Sequence, residues 1–279
     1  MSKIVWIASY PKSGNTWMRV FLSNLVSNRS RAQDINSLGD FCNNESNAKF
    51  YRQFFDKPLT EVDAAVIARI RSEVQKSIAI KNTGITFLKS HNYMGSYEGY
   101  PLHNPHLTAG WIYIVRNPLD VIISMTYHYA VSVDDAIDFL NSENTATESS
   151  ESNVYSPLSS WSTHVESWTS ENHPLVCYVR YEDMLDKPLK TFRRVASILG
   201  VKDSGAIKQA LRKSSFAEMK KQEAKHGFVE RIGESSPFFR KGKKEQWREV
   251  LTRDQVQRVI DKNGVQMERF KYIPKDFRT

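Results

Sequence analysis

Lys12, Ser13, Gly14, Asn15 and Thr16 form a short polar run between two apolar stretches. Ahead of it, Ile4 to Ala8 is unbroken apolar, with β-branched residues and a tryptophan, which suits a strand buried on both faces. Behind it, Trp17, Val20, Phe21 and Leu25 recur at helical spacing. The order is therefore strand, small polar loop, helix. Such a loop gathers backbone N–H groups at a helix N-terminus, an arrangement suited to phosphate or a similar oxyanion. Lys12 adds a mobile cation, and Ser13 and Thr16 add hydroxyl donors. An ordinary strand-to-helix turn with an exposed lysine would look much the same. The Walker pattern G-x-x-x-x-G-K-[ST] is absent.

Other polar groups follow apolar runs in the same way. Ile85 to Leu88 ends in Lys89-Ser90-His91, and a histidine at a strand tip, with its ordinary pKa near neutrality, suits general-base work. Trp111 to Val115 ends in Arg116-Asn117-Pro118, with Ser124 eight residues beyond Arg116. A guanidinium fork matches a phosphate, and the serine supplies a hydroxyl. Leu175 to Val179 ends in Arg180-Tyr181-Glu182-Asp183. Later come Ser214-Ser215-Phe216 and the basic segment Phe239-Arg240-Lys241-Gly242. Each has a plain alternative: a lone histidine is often structural, an arginine before Asn-Pro can cap a helix, and basic runs are commonly solvated faces.

The elements needed to position these groups are legible as periodicity. A helix opens at Thr60-Glu61-Val62-Asp63, with Val62, Val66, Ile70, Val74 and Ile78 as its apolar stripe. Others begin near Leu119-Asp120, run from Trp161 to Glu171, carry Phe192, Val195, Ile198 and Leu199, and cover Gln255 to Val259. The stretch from Asn28 to Asp56 is polar and irregular but holds scattered aromatics, so it must pack onto something. Four strands alternating with helices predict an α/β domain, a central parallel sheet flanked by helices with right-handed crossovers. In such a sheet, ligands bind beyond the carboxyl ends of the strands. The four polar tails should therefore share one crevice.

Composition bounds the alternatives. A chain of 279 residues with 40% hydrophobic and 25% charged content fits one globular domain, here taken as 1–279. A net charge of +8 favours anionic partners. Two lone cysteines, Cys42 and Cys177, build neither a disulfide framework nor a metal cluster and fit a reducing compartment. No apolar run approaches the ~18 residues of a spanning helix. The expectation is a cytoplasmic protein with no membrane partner, no nucleic-acid partner and no metal.

Taken together, the stretches resemble the soluble PAPS-dependent sulfotransferases, small-molecule enzymes of bacterial type (PAPS is 3′-phosphoadenosine-5′-phosphosulfate). Tyr10-Pro11-Lys12-Ser13-Gly14-Asn15-Thr16-Trp17 is similar to that family's 5′-phosphosulfate loop, with Asn15 where threonine is usual. Lys89-Ser90-His91 matches its Lys-Thr-His, with Ser90 for the threonine. Arg116 and Ser124 match its 3′-phosphate site, and Tyr181 its tyrosine near the base. Ser214 and Phe216 match a further binding stretch, and Phe239-Arg240-Lys241-Gly242 the segment that closes over the 3′-phosphate. Trp247 keeps its place in Gly-x-x-Gly-x-Trp, but Glu245 stands where the second glycine would be. Of the family's dimerisation segment, matched at Arg248, Thr252, Arg253 and Gln257, only Thr252 is kept, so the oligomeric state stays open. The six pieces span residues 4 to about 247 in the family's order.

The resemblance implies a P-loop-kinase-like sulfotransferase fold. It implies sulfuryl transfer in line from PAPS to a small-molecule hydroxyl or amine, leaving adenosine 3′,5′-bisphosphate. His91 would take the acceptor proton, Lys12 would stabilise the bridging oxygen, and Lys89 would steady the sulfuryl oxygens. Phe216 would stack on adenine, with Trp17 as the opposite wall. A P-loop-type nucleotide kinase and a nucleic-acid-binding module are the rival classes. For the acceptor, the span between Arg116 and Arg180 holds no lysine or arginine but several carboxylates. With Tyr127 and His128 just after Ser124, this points to a small, polar, cationic acceptor, met by Asp134 and Asp135.

Overall fold

The computed structural model describes residues 2–27, 30–171, 175–231 and 237–277. Asn28, at the start of the polar stretch, and 232–236, ahead of the basic Phe239-Arg240-Lys241-Gly242 segment, lie outside them. The main elements are β1 (Lys3–Ser9), α1 (Asn15–Ser27), β2 (Cys42–Asn44), α2 (Ala64–Ala79), β3 (Ile85–Ser90), β4 (Thr108–Val115), α3 (Pro118–Tyr129), α4 (Val133–Asn141), α5 (Trp161–Thr169), β5 (Val176–Arg180), α6 (Tyr181–Asp186), α7 (Pro188–Ile198), α8 (Ser204–Lys213), α9 (Phe216–His226) and α10 (Arg253–Arg269).

The five strands form one all-parallel sheet in the order β2-β3-β1-β4-β5. Alternation along the strands explains why both faces are covered. Ile4, Trp6 and Ala8 of β1 join Trp111, Tyr113 and Val115 of β4 in one apolar cluster with α2, α3, α5 and α10. Val5 and Ile7, with Ile112, Ile114, Cys177 and Val179, face the other cluster, closed by α1, α7 and α8. Strand β1 sits where the chain turns from building one half of the sheet to the other. The register sets Ala8 beside Ser90 and Tyr113, Asn44 beside Lys89, and Val115 beside Arg180, so all the carboxyl ends open at one edge.

Three expectations change. The edge strand β2 falls inside the polar stretch; Cys-Asn-Asn has no β signature, and pairing with β3 supplies what propensity does not. Helix α2 starts at Ala64 with Asp63 as its cap, its side chain accepting from the Ala65 amide. Its buried face keeps Val74 and Ile78 of the apolar stripe but adds Ile67, Arg71 and Gln75, leaving Val66 and Ile70 only partly buried; Arg71 and Gln75 are accommodated there by buried polar partners. The last helix runs to Arg269, well past Val259. Both cysteines are free and buried, and among the described residues no helix is long and apolar enough to cross a membrane.

Candidate functional site

The carboxyl edge of the sheet opens into a cavity of ≈ 730 Å³. The 11–14 loop forms its floor. Lys12 and Gly14 both take left-handed backbone, φ 64° and 102°. At Gly14 a side chain is excluded, since a Cβ would come within 2.7 Å of the Tyr181 ring. Helix α1 begins directly behind the loop. Thr16 and Trp17 line the cavity with Lys12 and Gly14. Ser13 does not line it, but its hydroxyl is buried and has no hydrogen-bond partner among the described residues.

The other strand tips arrive as the register requires. Lys89, His91, Arg116, Ser124, His128 and Tyr181 line the cavity. Arg116 is nearly buried; its Nη1 donates to the Lys12 carbonyl at 2.8 Å and its guanidinium lies 4.5 Å above the Tyr181 ring. Phe216, Phe239, Arg240, Lys241 and Gly242 also line the cavity. Gly242, at φ 58°, meets the Phe216 ring so closely that a Cβ would lie 2.5 Å from it. Asp120 holds this segment by accepting from the Glu245 amide at 2.7 Å and the Trp247 amide at 3.3 Å. Glu245 has φ 60°, a left-handed conformation that a glycine would favour.

Several predicted residues are placed elsewhere. Asn15 borders the cavity, yet its amide donates to the Ile7 carbonyl and accepts from Arg19 Nε, both at 2.9 Å. Ser214 is fully buried outside the cavity and donates to the Ala210 carbonyl at 2.9 Å. Tyr127 is half-exposed, off the cavity wall, under the Arg240 guanidinium at 3.8 Å. Asp134 pairs with Arg258 of α10 at 2.5 Å, and Asp135 closes the capping box of α4 with Ser132. Neither lines the cavity. Both carboxylates are engaged within the fold, and the expectation of a cationic acceptor loses the residues it rested on.

His91 is set by groups with no sequence signal. Its Nδ1 lies 2.7 Å from the Ser9 carbonyl. A carbonyl only accepts, so Nδ1 carries the proton and Nε2 keeps its lone pair. The His91 carbonyl in turn accepts from His164 Nε2 at 2.9 Å, and the Tyr113 hydroxyl donates to His164 Nδ1 at 2.9 Å. Burial, and then the Lys89 charge, push the His91 pKa well below its ordinary value, so the ring is neutral near pH 7. A neutral imidazole with a free nitrogen on a cavity wall can accept a proton.

Eight lysines and arginines line the cavity against one carboxylate, that of Glu230, among the described residues. Burial, then Lys89 and Arg116, lower the Lys12 amine to about 7. An anion bound beside Lys12 would favour its charged form. Binding should therefore take up protons above that pH, and affinity should fall by up to about tenfold per pH unit as pH rises through it. Calorimetry with adenosine 3′,5′-bisphosphate in buffers of different ionisation enthalpy reads this directly. Absence of proton uptake at about pH 8 would contradict the shifted amine.

The family model described as the sulfotransferase domain matches residues 2–271. Sulfotransferase 1B1 of Mus musculus is 28% identical over 90% of this chain and 78% of its own length. Cytosolic sulfotransferase 17 of Arabidopsis thaliana is 24% identical over 95% and 74%. The crystal structure of mouse sulfotransferase SULT7A1 complexed with PAP superposes with a TM-score of 0.61 at 22% identity, covering 97% of this chain and 88% of that one. At that identity the likeness speaks to the fold.

Proposed function

The chain belongs to the sulfotransferase family, and from that premise we propose that it moves a sulfuryl group from PAPS to a hydroxyl of a small polar acceptor, with His91 as the general base. The observation that carries the reading is the His91 Nδ1 bond to the Ser9 carbonyl at 2.7 Å, which leaves Nε2 of a neutral, cavity-lining ring free to take a proton.

The residues present fit the nucleotide. Ser13 offers a buried hydroxyl in want of a partner, and Gly14 keeps the loop clear where any side chain would strike Tyr181. PAPS supplies the sulfuryl group, and adenosine 3′,5′-bisphosphate is left. Lys12, Thr16 and the loop amides would hold the 5′-phosphosulfate, with Lys12 neutralising charge that develops on the leaving oxygen. Arg116, Ser124, Arg240, Lys241 and Gly242 would hold the 3′-phosphate. Trp17 and Phe216, partly buried against the same small apolar cluster, would flank the base, with Tyr181 beside them. Lys89, itself partly buried, would steady the sulfuryl oxygens. For a loose transition state, such positioning and charge supply most of the acceleration.

The acceptor's polarity follows from the opposite wall. Asn43, Asn44, Asn47, Ser152, Asn153 and Ser156 line it. Asn43, in the middle of β2, stands beside Leu88 in the register and Asn44, at its end, beside Lys89. Amides and hydroxyls in that density favour an acceptor with several hydrogen-bonding groups.

The nucleotide reading is tested by the 3′-phosphate. Wild type should bind adenosine 3′,5′-bisphosphate without metal and in preference to adenosine 5′-monophosphate; a kinase site would prefer ATP with Mg²⁺. Arg116→Ala and Arg240→Ala should each remove roughly 1.5–3 kcal/mol of that preference. If the variants discriminate as well as wild type in calorimetry, these arginines do not hold the 3′-phosphate.

A further inference from the structure

Glu230 follows α9, and its oxygens accept from Arg19 Nη2 at 2.7 and 2.8 Å and from Thr16 Oγ1 at 3.2 Å. Lys89 Nζ lies 3.8 Å away. Thr16 and Lys89 are the groups assigned above to the phosphosulfate, so a carboxylate of the chain sits on an anion's partners. Burial alone would raise the Glu230 carboxyl, but Lys89 and Arg19 outweigh it and hold it well below the usual range. Arg19 is 1% exposed, and its Nε is fixed by Asn15 Oδ1 at 2.9 Å. Asn15, where the loop departs from the family pattern, therefore supports a guanidinium that lines the cavity. The segment bearing Glu230 is moored at its side by Asn36, which accepts from the Val229 amide at 2.9 Å and donates to the Gly227 carbonyl at 3.2 Å.

We propose that Glu230 is a displaceable occupant of the anion pocket, and that Arg19, released by it, becomes a further ligand of the 5′-phosphosulfate. The proposal rests on the PAPS reading above. Two anions cannot share one set of cations, so nucleotide entry moves the carboxylate out. Apparent affinity is reduced by the fraction of molecules in which Glu230 is seated. The arrangement keeps Arg19 and Lys89 compensated before the nucleotide arrives, and it disfavours weak anions that cannot displace a tethered carboxylate.

Calorimetry with two probes separates the possibilities. Adenosine 3′,5′-bisphosphate carries the 5′-phosphate that must compete with Glu230, and adenosine 3′-monophosphate does not. Glu230→Gln should bind the bisphosphate about tenfold more tightly, with the monophosphate unchanged. Arg19→Gln should bind the bisphosphate about tenfold more weakly. Amide hydrogen exchange on wild type gives an answer that needs no variant to fold: the Val229 amide should lose protection when the bisphosphate is added. Equal or weaker bisphosphate binding by Glu230→Gln overturns the proposal, as does a Val229 amide that stays protected in the complex. Wild type that binds no bisphosphate would instead sink the PAPS reading.

Discussion

Replacing His91 with alanine should lower turnover by about 10²–10⁴-fold, the usual contribution of a positioned acid–base group, while affinity for adenosine 3′,5′-bisphosphate stays near that of wild type. The split follows from position. His91 directly follows β3, and among the described residues its side chain hydrogen-bonds only to the Ser9 carbonyl. In the proposed reading the nucleotide's charges would fall to Lys12, Thr16 and Arg116, none of which bonds to the imidazole. The ring is held neutral by burial and by Lys89, so the free enzyme should keep its base in the active form down through mildly acidic pH. Rate measurements with saturating PAPS and a polar acceptor decide the matter. Near-normal turnover in the variant removes His91 from the mechanism, and a parallel loss of nucleotide affinity makes it a structural residue instead.

The second large effect is on stability. Arg71 and Glu45 are an ion pair buried behind the site, 1% and 0% exposed. Glu45 also accepts from the Ser46 hydroxyl at 2.6 Å, the Tyr51 hydroxyl at 3.3 Å and the Asn92 amide, and Arg71 Nη2 donates to the Tyr155 carbonyl. Removing one partner leaves a buried charge unpaired. Arg71→Met should cost about 3–5 kcal/mol and lower Tm by roughly 10 °C. The paired change Arg71→Met with Glu45→Leu should regain much of that stability, because the uncompensated charge is gone. Turnover should stay low in the pair, since Asn92, the residue after His91, has lost its acceptor. Thermal unfolding and kcat, measured on both variants, check the two halves separately. A loss under about 1 kcal/mol in the single variant would mean that solvent reaches the pair.

The strand ends and the helices behind them were legible because their signals are local. Apolar runs bounded by Lys12, Lys89, Arg116 and Arg180 specify buried parallel strands, and a parallel sheet brings their carboxyl ends to one edge whatever lies between. Lys12, Gly14, Thr16, His91 and Arg116 are legible in this way and line the cavity, as does the basic Arg240-Lys241-Gly242 segment, which stands out by charge rather than by a strand end. Chemistry that depends on residue type along a strand is written in the sequence.

Contacts between distant segments are not. Glu230 reaches Arg19 across 211 positions and Thr16 across 214; no spacing rule marks such a pair. The acidic span after Ser124 looked like an acceptor surface because charge can be counted along the chain but its direction cannot. Folding turned Asp134 toward Arg258 and Asp135 onto its own helix cap. Arg71 lies beside the apolar stripe of α2 yet is buried, and it is the buried Glu45 opposite that accommodates its charge. The sequence by itself determined which groups stand at the sheet's edge, since strand and helix periodicity are properties of neighbours in the chain. Tertiary structure alone decided which of them face the cavity and which nitrogen of His91 is free. Those choices follow from long-range packing and from one backbone carbonyl, Ser9, whose orientation no residue type encodes.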